Sequence, residues 1–104
     1  MKLLIITALS DYRHEVSGLL QQAGIAVFSV SDTTGYKLNN GQPNDLSNWF
    51  GSKNGEFESV FFFSFTDDDR ALQVLSLVDQ RNQADHLQFP FRAFVLPVES
   101  FTQI

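Results

Sequence analysis

Val60-Phe61-Phe62-Phe63-Ser64-Phe65 is the stretch on which the fold of this chain turns. Aromatic and β-branched residues suit a pleated, half-buried surface, so the run reads as a strand. Side chains alternate between the two faces of a strand, and this one therefore carries aromatic rings to both faces of its sheet. One face can be covered by helices of the same chain; the other needs a cover of its own.

Outward from this strand, Asp67-Asp68-Asp69 sets negative charge where the next helix begins, matching the positive end of a helix dipole. Ala71, Leu72, Val74, Leu75 and Val78 then give that helix an apolar face. Gln83 to Gln88 is mostly polar, and Phe91-Arg92-Ala93-Phe94-Val95-Leu96 reads as a last strand ended by Pro97. On the other side, the periodicity disappears from Thr33 to about Phe57, where Gly35, Asn39, Asn40, Gly41, Pro43, Asn44, Asp45, Gly51, Asn54 and Gly55 accumulate. A stretch of this kind inside a small domain is commonly a functional loop. Before it, Ile25 to Val30 forms a strand, preceded by Gly24 as a helix stop. Tyr12, Val16, Leu19, Leu20 and Ala23 recur at helical spacing behind Ser10 as the expected N-cap. Leu3-Leu4-Ile5-Ile6-Thr7-Ala8 is nearly all apolar, which suits a central strand buried on both faces.

The order is β-α-β-loop-β-α-β. Right-handed crossovers turn two such units into an α+β, ferredoxin-like βαββαβ fold, with a four-stranded antiparallel sheet and both helices on one face. At 104 residues we expect one domain over 1–104 with a long loop at about 33–57. The sheet face without helices takes alternate residues of the Phe61–Phe65 run, more exposed aromatic surface than a soluble monomer tolerates, so self-association through the sheet is expected.

Composition narrows the function. Hydrophobic residues make up 43% and charged residues 18% of the chain, enough apolar surface for a folded core. The net charge of −5, with only seven scattered Lys and Arg residues, argues against nucleic-acid binding and against anionic membrane surfaces. With no cysteine there are no disulfides, thiolate catalysis or cysteine-based zinc sites, and a cytoplasmic location is the default. The apolar run Leu3 to Leu9 is too short to cross a bilayer, so no direct membrane insertion is expected. His14 and His86 are isolated and read as surface residues, not metal ligands. No nucleophile triad, carboxylate pair or glycine-rich nucleotide motif is legible, which argues against an enzyme.

Several segments together resemble the PII (nitrogen regulatory) signal-transduction family: the opening Met1-Lys2 strand, Gln22-Ala23-Gly24-Ile25 closing the first helix, Gly35-Tyr36 where the family has Gly-Phe, and Phe94-Val95-Leu96-Pro97-Val98-Glu99 in the last strand. The resemblance implies a homotrimeric regulator with a small effector, such as an adenine nucleotide, in the clefts between subunits. It places the loop after Gly35 where the family has its T-loop, which would control a protein partner such as a transporter or an enzyme. Ser29, Gly35 and Arg92 are then the candidate ligand contacts, with Gly35 as a hinge at positive φ, and Trp49 and Phe50 the candidate partner-binding residues of the loop.

The pattern breaks before the last strand. Where the family carries Thr-Gly-x-x-Gly-Asp-Gly-Lys to cradle phosphates on backbone amides, this chain has Asp85-His86-Leu87-Gln88-Phe89-Pro90-Phe91-Arg92. Only Arg92 keeps the family's charge, which argues against triphosphate binding in the family manner. No tyrosine lies between Lys37 and Glu56, so control by uridylylation is not expected. Two other readings share the architecture: a metal-handling trimer like the CutA relatives of PII, and a small-molecule enzyme with its site in the subunit cleft.

Overall fold

The structure, a computed structural model, describes residues 1–37, 55–85 and 89–103. Strands β1 (Lys2–Leu9), β2 (Ser29–Lys37), β3 (Gly55–Thr66) and β4 (Arg92–Pro97) alternate with helices α1 (Arg13–Gln22) and α2 (Asp68–Asp85) in the order β1-α1-β2-β3-α2-β4. The strands form a four-stranded antiparallel sheet in the order β2-β3-β1-β4. This is the ferredoxin-like α+β arrangement expected from the sequence.

The strand period divides the aromatic run as required. Leu4, Ile6 and Ala8 of β1 and Val60 and Phe62 of β3 face the helices, where they are buried with Val16, Leu19 and Leu20 of α1 and Val74 and Val78 of α2. Opposite faces take Leu3, Ile5 and Thr7 of β1, Phe61, Phe63 and Phe65 of β3, and Arg92, Phe94 and Leu96 of β4, by the same alternation. The rings of Phe61, Phe63 and Phe65 follow one another along this second face at centroid spacings of 6.1 and 6.4 Å. Phe65 at its end is 58% exposed.

Several boundaries differ from the sequence reading. The segment from Ile25 to Phe28 precedes β2 instead of starting it. Ile25 still enters the core, but Val27 is 81% exposed, and the Ser64 hydroxyl donates to the Val27 carbonyl at 2.6 Å in place of a ladder bond. Ser10 lies in a 3-10 turn, Ser10–Tyr12, and supplies no cap to α1. Helix α2 runs on through Asp85, since polar Gln83 and small Ala84 suit the exposed side of its last turn. Its start matches expectation: the Asp67 carboxylate accepts the Arg70 backbone N–H at 2.8 Å and also pairs with the Arg70 guanidinium.

The largest difference is at the expected loop. Thr33 to Lys37 continue β2 and Gly55 to Phe57 belong to β3, paired from Thr33↔Ser59 to Lys37↔Gly55. Strand β1 ends at Leu9, opposite Ser59, so beyond that point these residues form a two-stranded ribbon that has left the core. The covered positions of the ribbon are Thr33, Gly35 and Lys37 on β2, which are not apolar side chains, so the strand shows no hydrophobic alternation and its sequence reads as loop. Residues 38–54, with Trp49 and Phe50, and residues 86–88, with His86, lie outside the described residues.

Candidate functional site

Arg92 opens β4, directly opposite Thr7 of β1 and on the face away from the helices. What fixes it there is the segment just before it. Asn82 of α2 holds the backbone of Phe91 at two points: its Nδ2 donates to the Phe91 carbonyl at 2.9 Å, and the Phe91 N–H donates to its Oδ1 at 3.0 Å. The Phe91 ring is buried in the core, edge-on to Tyr12 at 5.4 Å. The Arg81 guanidinium lies 4.0 Å over the Phe91 ring and 4.9 Å from the centre of Tyr12. It also donates to both carboxylate oxygens of Glu15, from Nη2 to Oε1 at 2.8 Å, which joins α2 to α1. Phe91 is therefore clamped to both helices, and neither it nor Pro90 offers a free backbone donor: Pro90 has none and that of Phe91 is taken by Asn82.

The Arg81 hydrogen bonds hold the Glu15 carboxyl below the usual carboxylate range, against a smaller opposing effect of burial. The Arg70 backbone N–H, again against a smaller desolvation, holds that of Asp67 low too. A carboxyl whose pKa is depressed by folding contributes stability above its unfolded pKa and loses it as pH falls through the folded value. The melting temperature is thus expected to stay level from about pH 7 to 5 and to fall below about pH 4.5. Glu15→Gln should flatten part of that acid limb and leave the part due to Asp67, as thermal melts across pH would record. An unchanged limb in Glu15→Gln would mean that the Arg81 pairing adds nothing to stability.

Beside Arg92, the Thr7 hydroxyl is buried, and so is that of Ser59, which stands diagonally across from Thr7 on β3; neither has a hydrogen-bond partner among the described residues. Arg92 is half-buried and makes no ion pair or side-chain hydrogen bond among the described residues. The sequence reading passed over Thr7, Asn82 and Arg81. Thr7 did leave a signal as the one hydroxyl inside an otherwise apolar strand; Asn82 and Arg81 sit in a polar helix end with none.

Ser29 and Gly35 lie on β2, at the opposite edge of the sheet from Arg92, with β3 and β1 between. At about 4.8 Å per strand the separation is about 14 Å, too far for one small ligand to span within one chain. Ser29 is exposed, in the row of Phe63, Ile5 and Phe94. Gly35 is a buried strand residue opposite Phe57, and among the described glycines it is Gly24 that takes a positive φ, of 80°. The hinge expected at Gly35 is corrected on that ground: its backbone is held in the β2–β3 ladder. His14 is exposed on α1, and the described residues contain no group of three His, Cys, Asp or Glu placed to hold a metal ion. No helix among the described residues is long and apolar enough to cross a membrane.

No protein-family model matches the sequence, and no curated protein does. Among solved structures the chain is similar to CPII, a nitrogen regulatory PII-like protein from Thiomonas intermedia K12 bound to ADP, AMP and bicarbonate. The TM-score is 0.67 at 13% identity, over 99% of this chain and 94% of that one. It is also similar to a protein of Thermus thermophilus described as PII-like and signalling, with a TM-score of 0.59 at 18% identity, over 91% of this chain and 83% of that one. These likenesses establish that the chain has the fold of PII-like proteins.

Proposed function

We propose that the chain is a PII-like signalling protein, a regulator and not an enzyme, which assembles as a homotrimer and takes a small effector in the clefts between subunits. The observation that carries this reading is the sheet face away from the helices. Its aromatic ladder and the neighbouring Leu3, Ile5, Phe94 and Leu96 make an apolar surface that a lone soluble chain has no means to cover. Association through that face also supplies what one chain lacks, since the β2 edge of one subunit, with Ser29 and Gly35, can then meet the β4 edge of the next, with Arg92. The ADP, AMP and bicarbonate held by the Thiomonas protein make adenine nucleotides the first effectors to try. In this reading residues 38–54 control a protein partner, with Trp49 and Phe50 as contacts, and the whole of 1–104 acts as one cytoplasmic domain.

The test combines mass and fluorescence. Sedimentation should give three times the chain mass of 11.8 kDa. Trp49 is the one tryptophan, so its emission reports on the segment proposed to contact the partner, and AMP or ADP should shift it. A monomeric protein whose emission ignores every nucleotide would sink the proposal. Trp49→Phe should abolish the signal and leave the mass unchanged.

A further inference from the structure

The candidate site holds a guanidinium and two hydroxyls but no carboxylate. On the face away from the helices, the described strand residues include no Asp or Glu, although the whole chain has twelve acids and a net charge of −5. The strand acids Asp32, Glu56 and Glu58 all fall on the other parity. At one end of this acid-free face, Arg92 stands opposite Thr7 with no ion-pair partner among the described residues. Thr7 is 6% exposed and Ser59 1%, both with unpartnered hydroxyls. A buried hydroxyl left unpaired costs folding free energy, and such groups in a native structure call for an explanation. A guanidinium only donates and a hydroxyl can donate through its O–H, so one group that engages them together is rich in acceptors and negatively charged. Phe61, which pairs with Thr7 from the other side, lowers the local dielectric and strengthens that attraction.

The same geometry limits how much charge can be held. A phosphate chain needs several donors in a row, usually backbone N–H groups with room to approach. Here Pro90 offers none, the Phe91 N–H is committed to Asn82, and the Phe91 ring is locked beneath Arg81. Opening that segment would break two hydrogen bonds and extract a buried ring from the core.

We infer that Arg92 and Thr7 form a site for a single oxyanion head group, a phosphate monoester or a carboxylate, and that further phosphates add nothing to binding there. The inference rests on the proposed effector-binding role and names the chemical class that this side of the cleft accepts.

Calorimetric titration with AMP, ADP, ATP, inorganic phosphate and acetate tests it, with sedimentation and thermal melting on the same samples. AMP, ADP and ATP should bind within about threefold of one another. Arg92→Gln should weaken all of them by more than about tenfold, the scale of one lost charge-assisted contact. Thr7→Val should weaken binding by several-fold while the unliganded protein melts no lower than the parent, because the substitution removes an unpaired hydroxyl and keeps the shape. Competition against AMP by phosphate and by acetate decides between the two head groups. ADP or ATP binding more than about thirtyfold tighter than AMP would overturn the inference, because the clamped segment would then have to open into a phosphate cradle. So would a protein that binds none of the five probes. A Thr7→Val variant that loses assembly mass but keeps anion affinity would overturn it too, by assigning the hydroxyl to a neighbouring subunit. A trimer that ignores every anion defeats this inference alone; a monomer that ignores them defeats the regulatory reading as well.

Discussion

Phe62→Ala is expected to cost about 3–5 kcal/mol of folding stability, the usual range for removing a fully buried phenylalanine. Phe62 is 1% exposed, sits opposite Ile6 on the helix side of the sheet, and lies 5.9 Å from the ring of Phe28. Its loss leaves a cavity between the sheet and both helices that surrounding branched side chains cannot refill without leaving their rotamers. Folded domains are stable by only about 5–15 kcal/mol, so the variant should unfold at a much lower urea concentration. Circular dichroism across a urea titration measures the shift. A loss below about 1 kcal/mol would put Phe62 outside the core and the β1–β3 register off by one residue, since a slip of one exchanges the two faces.

Phe63→Asp, one position further along the same strand, should act on assembly. Phe63 lies on the opposite face, opposite Ile5 and Ser29, between the rings of Phe61 and Phe65. In a chain by itself the new carboxylate faces water and costs little. In a trimer joined through this face it would be buried without a counter-ion, because the described residues around it are apolar or hydroxyl-bearing, and an unpaired buried charge costs about 3–5 kcal/mol. The sedimentation mass should fall to that of one chain, with the helical circular dichroism preserved. A variant that keeps the full assembled mass would show that subunits meet elsewhere, and the proposed cleft between the β2 and β4 edges would go with it.

These two neighbouring residues illustrate what was legible from the start. The strand period is a local property, so the run Val60 to Phe65 by itself announced a strand with rings on both faces, and the element order completed a ferredoxin-like sheet. Asp67 was equally readable as the start of α2, since its carboxylate and the backbone N–H it accepts are three residues apart. The position of Arg92 at the start of β4 was readable too, because that strand is marked by its own apolar residues and Pro97.

What stayed hidden depends on contacts between distant parts of the chain. The ribbon from Thr33 to Lys37 with Gly55 to Ser59 is held by cross-strand pairing, and its covered positions are Thr33, Gly35, Lys37 and Ser59, which leave no apolar alternation to read. Gly35 and Ser29 looked like companions of Arg92, yet strand order put them on opposite edges of the sheet, an arrangement that no local pattern encodes. The clamp from Asn82 to Phe91 and the stack of Arg81 on Phe91 and Tyr12 arise where helix α2 turns back against both β4 and α1. By itself the sequence determined the elements, their order and the two faces of the aromatic strand, because these follow from short-range periodicity. Only the tertiary structure decided which polar groups were left without partners at Thr7 and Ser59, because an unsatisfied hydroxyl is defined by everything packed around it.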